Sequence, residues 1–203
     1  MRKYIFLLFL SYHAFAQYPI LNDSIKKAGI YKTFDEFKNN SPSIALNYPI
    51  TSKNNIFFTH WGKESITTYA VGMPKEDGRD LGSVYGFCDG NSFYIFPIDN
   101  MIFPNTVHKF VFYRMTALGK YPYLDIAIGN NYDAANGDGS FNLSKTPSID
   151  LAVLYFETGE VKKLTVNRLK EILADKPQLL EKFKKQESKN DYLKVYLKEY
   201  LKN

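Results

Sequence analysis

The sequence predicts an α+β domain, an antiparallel β-sheet of about seven strands with a short N-terminal helix and a helical C-terminal segment. Three observations predict it. Between residues 44 and 164, short runs rich in Val, Ile, Phe, Tyr and Thr are broken by Gly, Asn, Asp and Pro, the composition of strands and turns. From residue 165 onward the apolar residues recur at helical spacing, as in helices with one buried face. Near the start, Thr33 followed three residues on by Glu36 forms a capping box, in which a hydroxyl and a carboxylate satisfy the free N–H groups of a helix's first turn.

In chain order, Gly29-Ile30-Tyr31 reads as a short extended piece leading into the helix of "KTFDEFKNN". Asp35 and Glu36 suit the positive end of that helix, Phe34 and Phe37 share a face, and Asn39-Asn40-Ser41-Pro42 ends it. The strands read as "NIFFTHW", "SITTYAV", "SVYGFCD", "SFYIFPI", "HKFVFYRMTA", "YLDIAIG" and "DLAVLYFE". Two hairpins are marked, at Asp89-Gly90-Asn91 and at Thr158-Gly159 in "YFETGEVKKLT". Such short connections favour antiparallel pairing, because parallel strands need a long crossover. Several runs are apolar on both faces, which requires a sheet covered on both sides or curled on itself; its curvature, up to a barrel-like form, stays open. In the C-terminal segment Thr165 is the N-cap, and Leu169, Ile172 and Leu173 form the inward stripe. Lys176-Pro177 interrupts the helix, and Pro177 starts another because a first-turn N–H is dispensable; Leu179, Leu180 and Phe183 continue the apolar face. After Ser188 a third run places Tyr192, Tyr196 and Tyr200 at i, i+4 and i+8, with Leu193, Leu197 and Leu201 beside them.

A chain of 203 residues with 45% hydrophobic and 23% charged residues buries a core without metal or disulfide staples. Its start, "MRKYIFLLFLSYHAFAQ", runs from Arg2 and Lys3 through an apolar stretch to Ala14-Phe15-Ala16, the order of a cleavable secretory signal. The apolar stretch falls far short of the ~20 residues that span a bilayer, and no cysteine follows it to carry a lipid. The expectation is a signal peptide over 1–16 and one domain over 17–203, mainly β from 29 to 164 and helical from 165, working in the periplasm or outside the cell. The single Cys88 forms no internal disulfide; its place in "VYGFCDG" suggests a buried small side chain rather than a reactive thiol.

The formal net charge is +5, and its distribution is uneven. Residues 160–203 carry 12 Lys and Arg against 7 Asp and Glu, whereas residues 17–159 carry 12 against 14. The lysines are interspersed with acids as on a solvated helix face, so nucleic acid is not the expected partner; a cell-envelope protein or an anionic membrane surface stays open.

Beyond His13 the only histidines are His60 and His108, and no HExxH or CxxC spacing occurs, so neither a zinc site nor any other cofactor is expected. His60, beside the only tryptophan, Trp61, is a general-base candidate whose plainer reading is a strand-end histidine. There is no nucleophile elbow: Ser83 follows a glycine, but the second glycine is missing. Paired carboxylates stay open, since their separation in space is what counts; Asp89, Asp99, Asp125 and Asp150 are strand-associated acids with no visible partner. The loop "GNNYDAANGDGSFN" concentrates oxygen donors, Asp133 and Asp138 among them, yet lacks the distal glutamate of a calcium loop and reads most simply as a long polar hairpin loop. Tyr192, Tyr196 and Tyr200, flanked by Lys194, Lys198 and Lys202, form either a core stripe or a face that docks on a membrane or partner.

"GIYKTFDEFKNNSPSI" resembles the opening of a family of secreted bacterial proteins of unknown function, whose pattern is GIY, a Ser or Thr, an aromatic, an acidic pair, then Asn-x-x-Pro. "VYGFCDGNSFYI" is similar to the family's middle hairpin and "FETGEVKKLTVNRLKEILADKPQLLEKF" to its ending, with nothing similar between residues 100 and 150. The resemblance implies export and a shared fold and brings no activity. The leading expectation is an exported non-catalytic binding or structural module without assigned catalytic, cofactor or metal residues. Two rivals stand beside it: a hydrolase using sheet carboxylates with His60, and an envelope protein docking through its C-terminal Tyr/Leu helix.

Overall fold

A computed structural model describes residue 20 and residues 26–59, 62–96, 111–117, 119–128 and 148–202. The predicted signal, His60, Trp61 and the loop carrying Asp133 and Asp138 lie outside the described residues. The strands are β1 (Gly29–Tyr31), β2 (Ile50–Thr59), β3 (Gly62–Val71), β4 (Gly86–Cys88), β5 (Phe93–Ile95), β6 (Tyr113–Arg114), β7 (Tyr123–Ile128), β8 (Ser148–Leu154) and β9 (Val161–Lys163). The helices are α1 (Phe34–Lys38), α2 (Lys75–Leu81), α3 (Val166–Ile172), α4 (Pro177–Lys184) and α5 (Leu193–Lys202).

The α+β class and the antiparallel pairing hold, but the strands form three sheets rather than one, ordered β1-β4-β5-β6, β2-β3 and β7-β8-β9. No barrel closes. Closure needs continuous pairing around a ring, whereas among the described residues the strand pairing between sheets is limited to single-residue bridges, Tyr69 with Phe112 and Ala117 with Tyr123. The turn residues act as their chemistry requires: Gly90 and Gly159 take φ of +90° and +76° in the β4–β5 and β8–β9 turns.

Apolar residues on both faces of a strand do mean two covers. On β7 and β8, Leu124, Ile126, Ala152 and Leu154 enter one core cluster with Phe37, Tyr85 and Ile95, while Tyr123 and Val153 enter another with the C-terminal helices. A third cluster gathers Ile30, Val84, Phe87, Tyr94 and Phe112 on the opposite face of the β1-β4-β5-β6 sheet. Ile20 is fully buried in the first cluster.

The opening motif is architecture. Thr33 Oγ1 accepts from the Glu36 N–H at 3.2 Å, and Glu36 reaches back to the N–H of Lys32 at 2.7 Å, one residue before the expected partner. Phe37 is fully buried, edge-on to Tyr31 and Phe93. Asn40 takes the left-handed φ of 48° that lets the chain reverse, and its side-chain oxygen accepts from the Tyr31 hydroxyl at 2.9 Å. Gly29 has no alternative: a Cβ there, at φ +155°, would lie 2.5 Å from Pro42 Cβ.

The helical segment follows its sequence pattern. Thr165 Oγ1 caps α3 through the Arg168 N–H at 3.3 Å, Pro177 opens α4, and Leu169, Ile172, Leu173, Leu179, Phe183 and Leu197 are buried. One helix was not legible as such: α2, which begins after Pro74 with Glu76 and Asp77 in its first turn and stops at Gly82.

Candidate functional site

The described residues leave a polar cleft of about 340 Å³ where the three sheets meet, and strand pairing explains why it is there. Tyr69 of β3 and Phe112 exchange both backbone hydrogen bonds at 2.9 Å. Continued antiparallel register would set Thr67 against Arg114 and Ser65 against Thr116. It does not continue. The Thr116 N–H goes to the Tyr123 carbonyl at 2.8 Å, while the other edge of the same segment bonds β5 through the Met115 N–H and the Phe93 carbonyl at 2.9 Å. The gap opened between β3 and the 114–116 segment is the cleft.

Side-chain alternation fills its walls. Ser65, Thr67 and Tyr69 lie at every second position of β3 and so share a face, as do Arg114 and Thr116. Asp125 of β7, Ile149 of β8 and Lys194 at the start of α5 complete the rim. Lys194 Nζ bonds both Asp125 carboxylate oxygens, at 2.8 and 2.7 Å, so those two charges cancel locally. Arg114 forms none of the ion pairs among the described residues, which leaves one uncompensated positive charge facing polar hydroxyls. Tyr69 also packs on Tyr94, ring centroids 4.7 Å apart, giving the cleft one rigid aromatic wall. No sequence motif marks this site, since its residues come from four separated strands and one helix.

Asp99 lies outside the described residues, and the other strand acids do not converge. Asp150 lies opposite Ile126 in the β7–β8 ladder, so it projects to the face opposite that of Asp125, and it pairs with Lys163 at 2.9 Å. Asp89 belongs to the β4–β5 turn, where it accepts from the N–H groups of Asn91 and Ser92 and from the Tyr94 hydroxyl. Burial pushes its carboxyl up, but these donors outweigh burial and leave it below the ordinary carboxylate value. Cys88 is buried, which raises its thiol to about 11. Among the described residues no group of three or more His, Cys, Asp or Glu is placed to hold a metal ion.

The tyrosine stripe splits. Tyr196 and Tyr200 are 7% and 5% exposed and belong to the helical core, whereas Tyr192 is 40% exposed. Tyr196 accepts from Gln186 Nε2 at 2.8 Å and packs on Phe183; Tyr200 donates to Asp175 at 2.9 Å and carries Lys176 Nζ 4.3 Å above its ring. With two of its three rings inside, the stripe is in the main a core feature, and only Tyr192 with Val195 offers apolar surface. A groove of about 610 Å³ beside Pro177 and Leu179 borders the same helices, but its Lys176 is engaged by the Tyr200 carbonyl at 2.6 Å. No helix among the described residues is long and apolar enough to cross a membrane.

Residues 29–203 match a family described as a family of unknown function, DUF6563. No curated protein and no solved structure matches the chain.

Proposed function

Since the chain belongs to the family of unknown function DUF6563, we propose its role from the site alone: an exported, non-catalytic binding module whose ligand site is the cleft between β3 and β6. The observation that carries this reading is the interrupted ladder, which leaves a polar cleft bearing a guanidinium without an ion-pair partner among the described residues. A binding role fits better than hydrolysis because the cleft's acid, Asp125, is clamped by Lys194, and Asp150 projects from the other face of its sheet. Export rests on the charged, apolar, small-residue order of residues 1–16, and the mass of the protein recovered from the cell envelope or medium tests it: a chain beginning at Gln17 supports cleavage, one beginning at Met1 refutes it.

Thermal unfolding across glycans, peptides, divalent ions and anionic lipids, with chelator as control, tests the binding role. A ligand at a hundred times its dissociation constant adds about 2.7 kcal/mol. The stabilisation is expected to vanish in Thr67→Trp, which fills the cleft from the exposed side of β3. A stabilising ligand indifferent to Thr67→Trp and to Thr116→Trp places binding elsewhere and overturns the assignment.

A further inference from the structure

The cleft combines two recognition elements that are separately common and jointly informative. The first is Arg114. A guanidinium offers a planar fork of N–H donors that matches a carboxylate bidentately, and the one acid among the described residues lining the cleft, Asp125, has both oxygens held by Lys194. The second is main chain. Alternation along a strand turns the N–H and C=O groups of every second residue to the same edge, so the edge that lets Tyr69 bond Phe112 also carries the backbone groups of Thr67 and Ser65. There the ladder with the 112–116 segment stops after the single Tyr69–Phe112 bridge, and among the described residues no strand pairs with this edge of β3.

We propose that the cleft binds the carboxylate end of a peptide-like chain, with Arg114 gripping the carboxylate and the free β3 edge at Thr67 and Ser65 bonding the adjoining amide. This deepens the reading of the cleft as a ligand site and rests on it. A phosphate or a sugar acid matches Arg114 but brings no amide to pair with the strand edge; an amide next to a carboxylate matches both. The cleft's volume, about 340 Å³, lies at the small end of ligand pockets, which suits one or two terminal residues rather than a long added strand. Ile149 and the Tyr69 ring supply the apolar surface for the terminal side chain. Lys194 has a positioning role: it holds Asp125 neutralised so that the entering carboxylate meets net positive charge.

The test titrates the purified protein with acetyl-dialanine as the free acid, acetyl-dialanine as its C-terminal amide, and galacturonate, which has a carboxylate without an amide. The acid is expected to bind at least about tenfold more tightly than either comparison, because a bond to a charged group is lost in one and the strand-edge bond in the other. Arg114→Gln should abolish that preference and Arg114→Lys keep part of it, while Lys194→Ala weakens the acid and leaves the amide unchanged. Equal binding of acid and amide, galacturonate binding as tightly as the acid, or no binding by the acid overturns the inference. If binding of any of the three is still lost in Thr67→Trp, the cleft remains a ligand site and only the ligand class was wrong; if it persists in Thr67→Trp and Thr116→Trp, the cleft itself fails.

Discussion

Lys194, on the first turn of α5, holds the carboxylate of Asp125, on β7, through both oxygens at 2.8 and 2.7 Å across 69 residues of chain. The pair ties the helical segment to the sheet at the mouth of the cleft. Both side chains stay well solvated, 41% and 38% exposed, so the pair contributes under about 1 kcal/mol to stability. Lys194→Ala is therefore expected to lower the urea midpoint only slightly. A double-mutant cycle with Asp125→Asn should give a coupling that shrinks in high salt, and a coupling insensitive to salt would mean the contact is not chiefly electrostatic.

The opening motif should behave as a packing device. Phe37→Ala removes a fully buried ring and is expected to cost about 3–5 kcal/mol in chemical denaturation. Asn40→Ala loses an acceptor for the buried Tyr31 hydroxyl and sets alanine at a left-handed φ of 48°, costing about 1–3 kcal/mol. Near-neutral values with altered ligand binding would instead make the motif part of a site.

Local chemistry made most elements legible: the Thr33–Glu36 box, the Thr165 cap, Pro177 at a helix start, the Asp89-Gly90-Asn91 and Thr158-Gly159 turns, and the two-faced apolar strands each depend on neighbours a few residues away. The division into three sheets was not legible, because it turns on the β3 ladder stopping after the single Tyr69–Phe112 bridge, a pairing between segments far apart in sequence. The cleft is a product of that interruption, so Arg114, Thr67 and Lys194 carried no local signal. For α2 a signal was present in Pro74, the acidic first turn and Gly82, but Gly78 in its middle weakens it. The split of the tyrosine stripe came from tertiary contact alone, since Tyr192 and Tyr196 share a helical spacing and differ in what covers them.

Cys88 should be inert in the folded protein. Burial raises its thiol to about 11, and the nucleophile is the thiolate, so alkylation by iodoacetamide at pH 8 is expected only on unfolding. Rapid labelling of the native protein would show that β4 opens readily.

The C-terminal helix should be indispensable to the fold. Leu197 is fully buried in the core cluster that holds Leu169 and Ile172 of α3 and Leu179 and Phe183 of α4, and Leu197→Ala is expected to cost about 2–5 kcal/mol. Tyr192→Ser, in the exposed turn just before α5, should stay within about 0.5 kcal/mol. If Tyr192→Ser instead abolishes binding to anionic vesicles with unchanged stability, the docking role of this face is restored.

Acid should weaken the protein partly through Asp89. Its carboxylate accepts from Ser92 N–H at 2.6 Å, Asn91 N–H at 2.7 Å and the Tyr94 hydroxyl at 2.9 Å; burial works against the charged form, the donors prevail, and the pKa falls below the unfolded value. A group whose folded pKa is depressed gives stability that is fully present above the unfolded pKa, about 3.9, and is lost as pH falls through the folded one. Urea midpoints measured downward from pH 5 should therefore decline, and Asp89→Asn, which keeps an acceptor oxygen and removes the charge, should decline less steeply over the same interval. Identical slopes would mean that the turn holds Asp89 no better as an anion than as an acid, and that the acid sensitivity lies with other carboxylates such as Asp175, which the Tyr200 hydroxyl and Lys120 also hold low against burial.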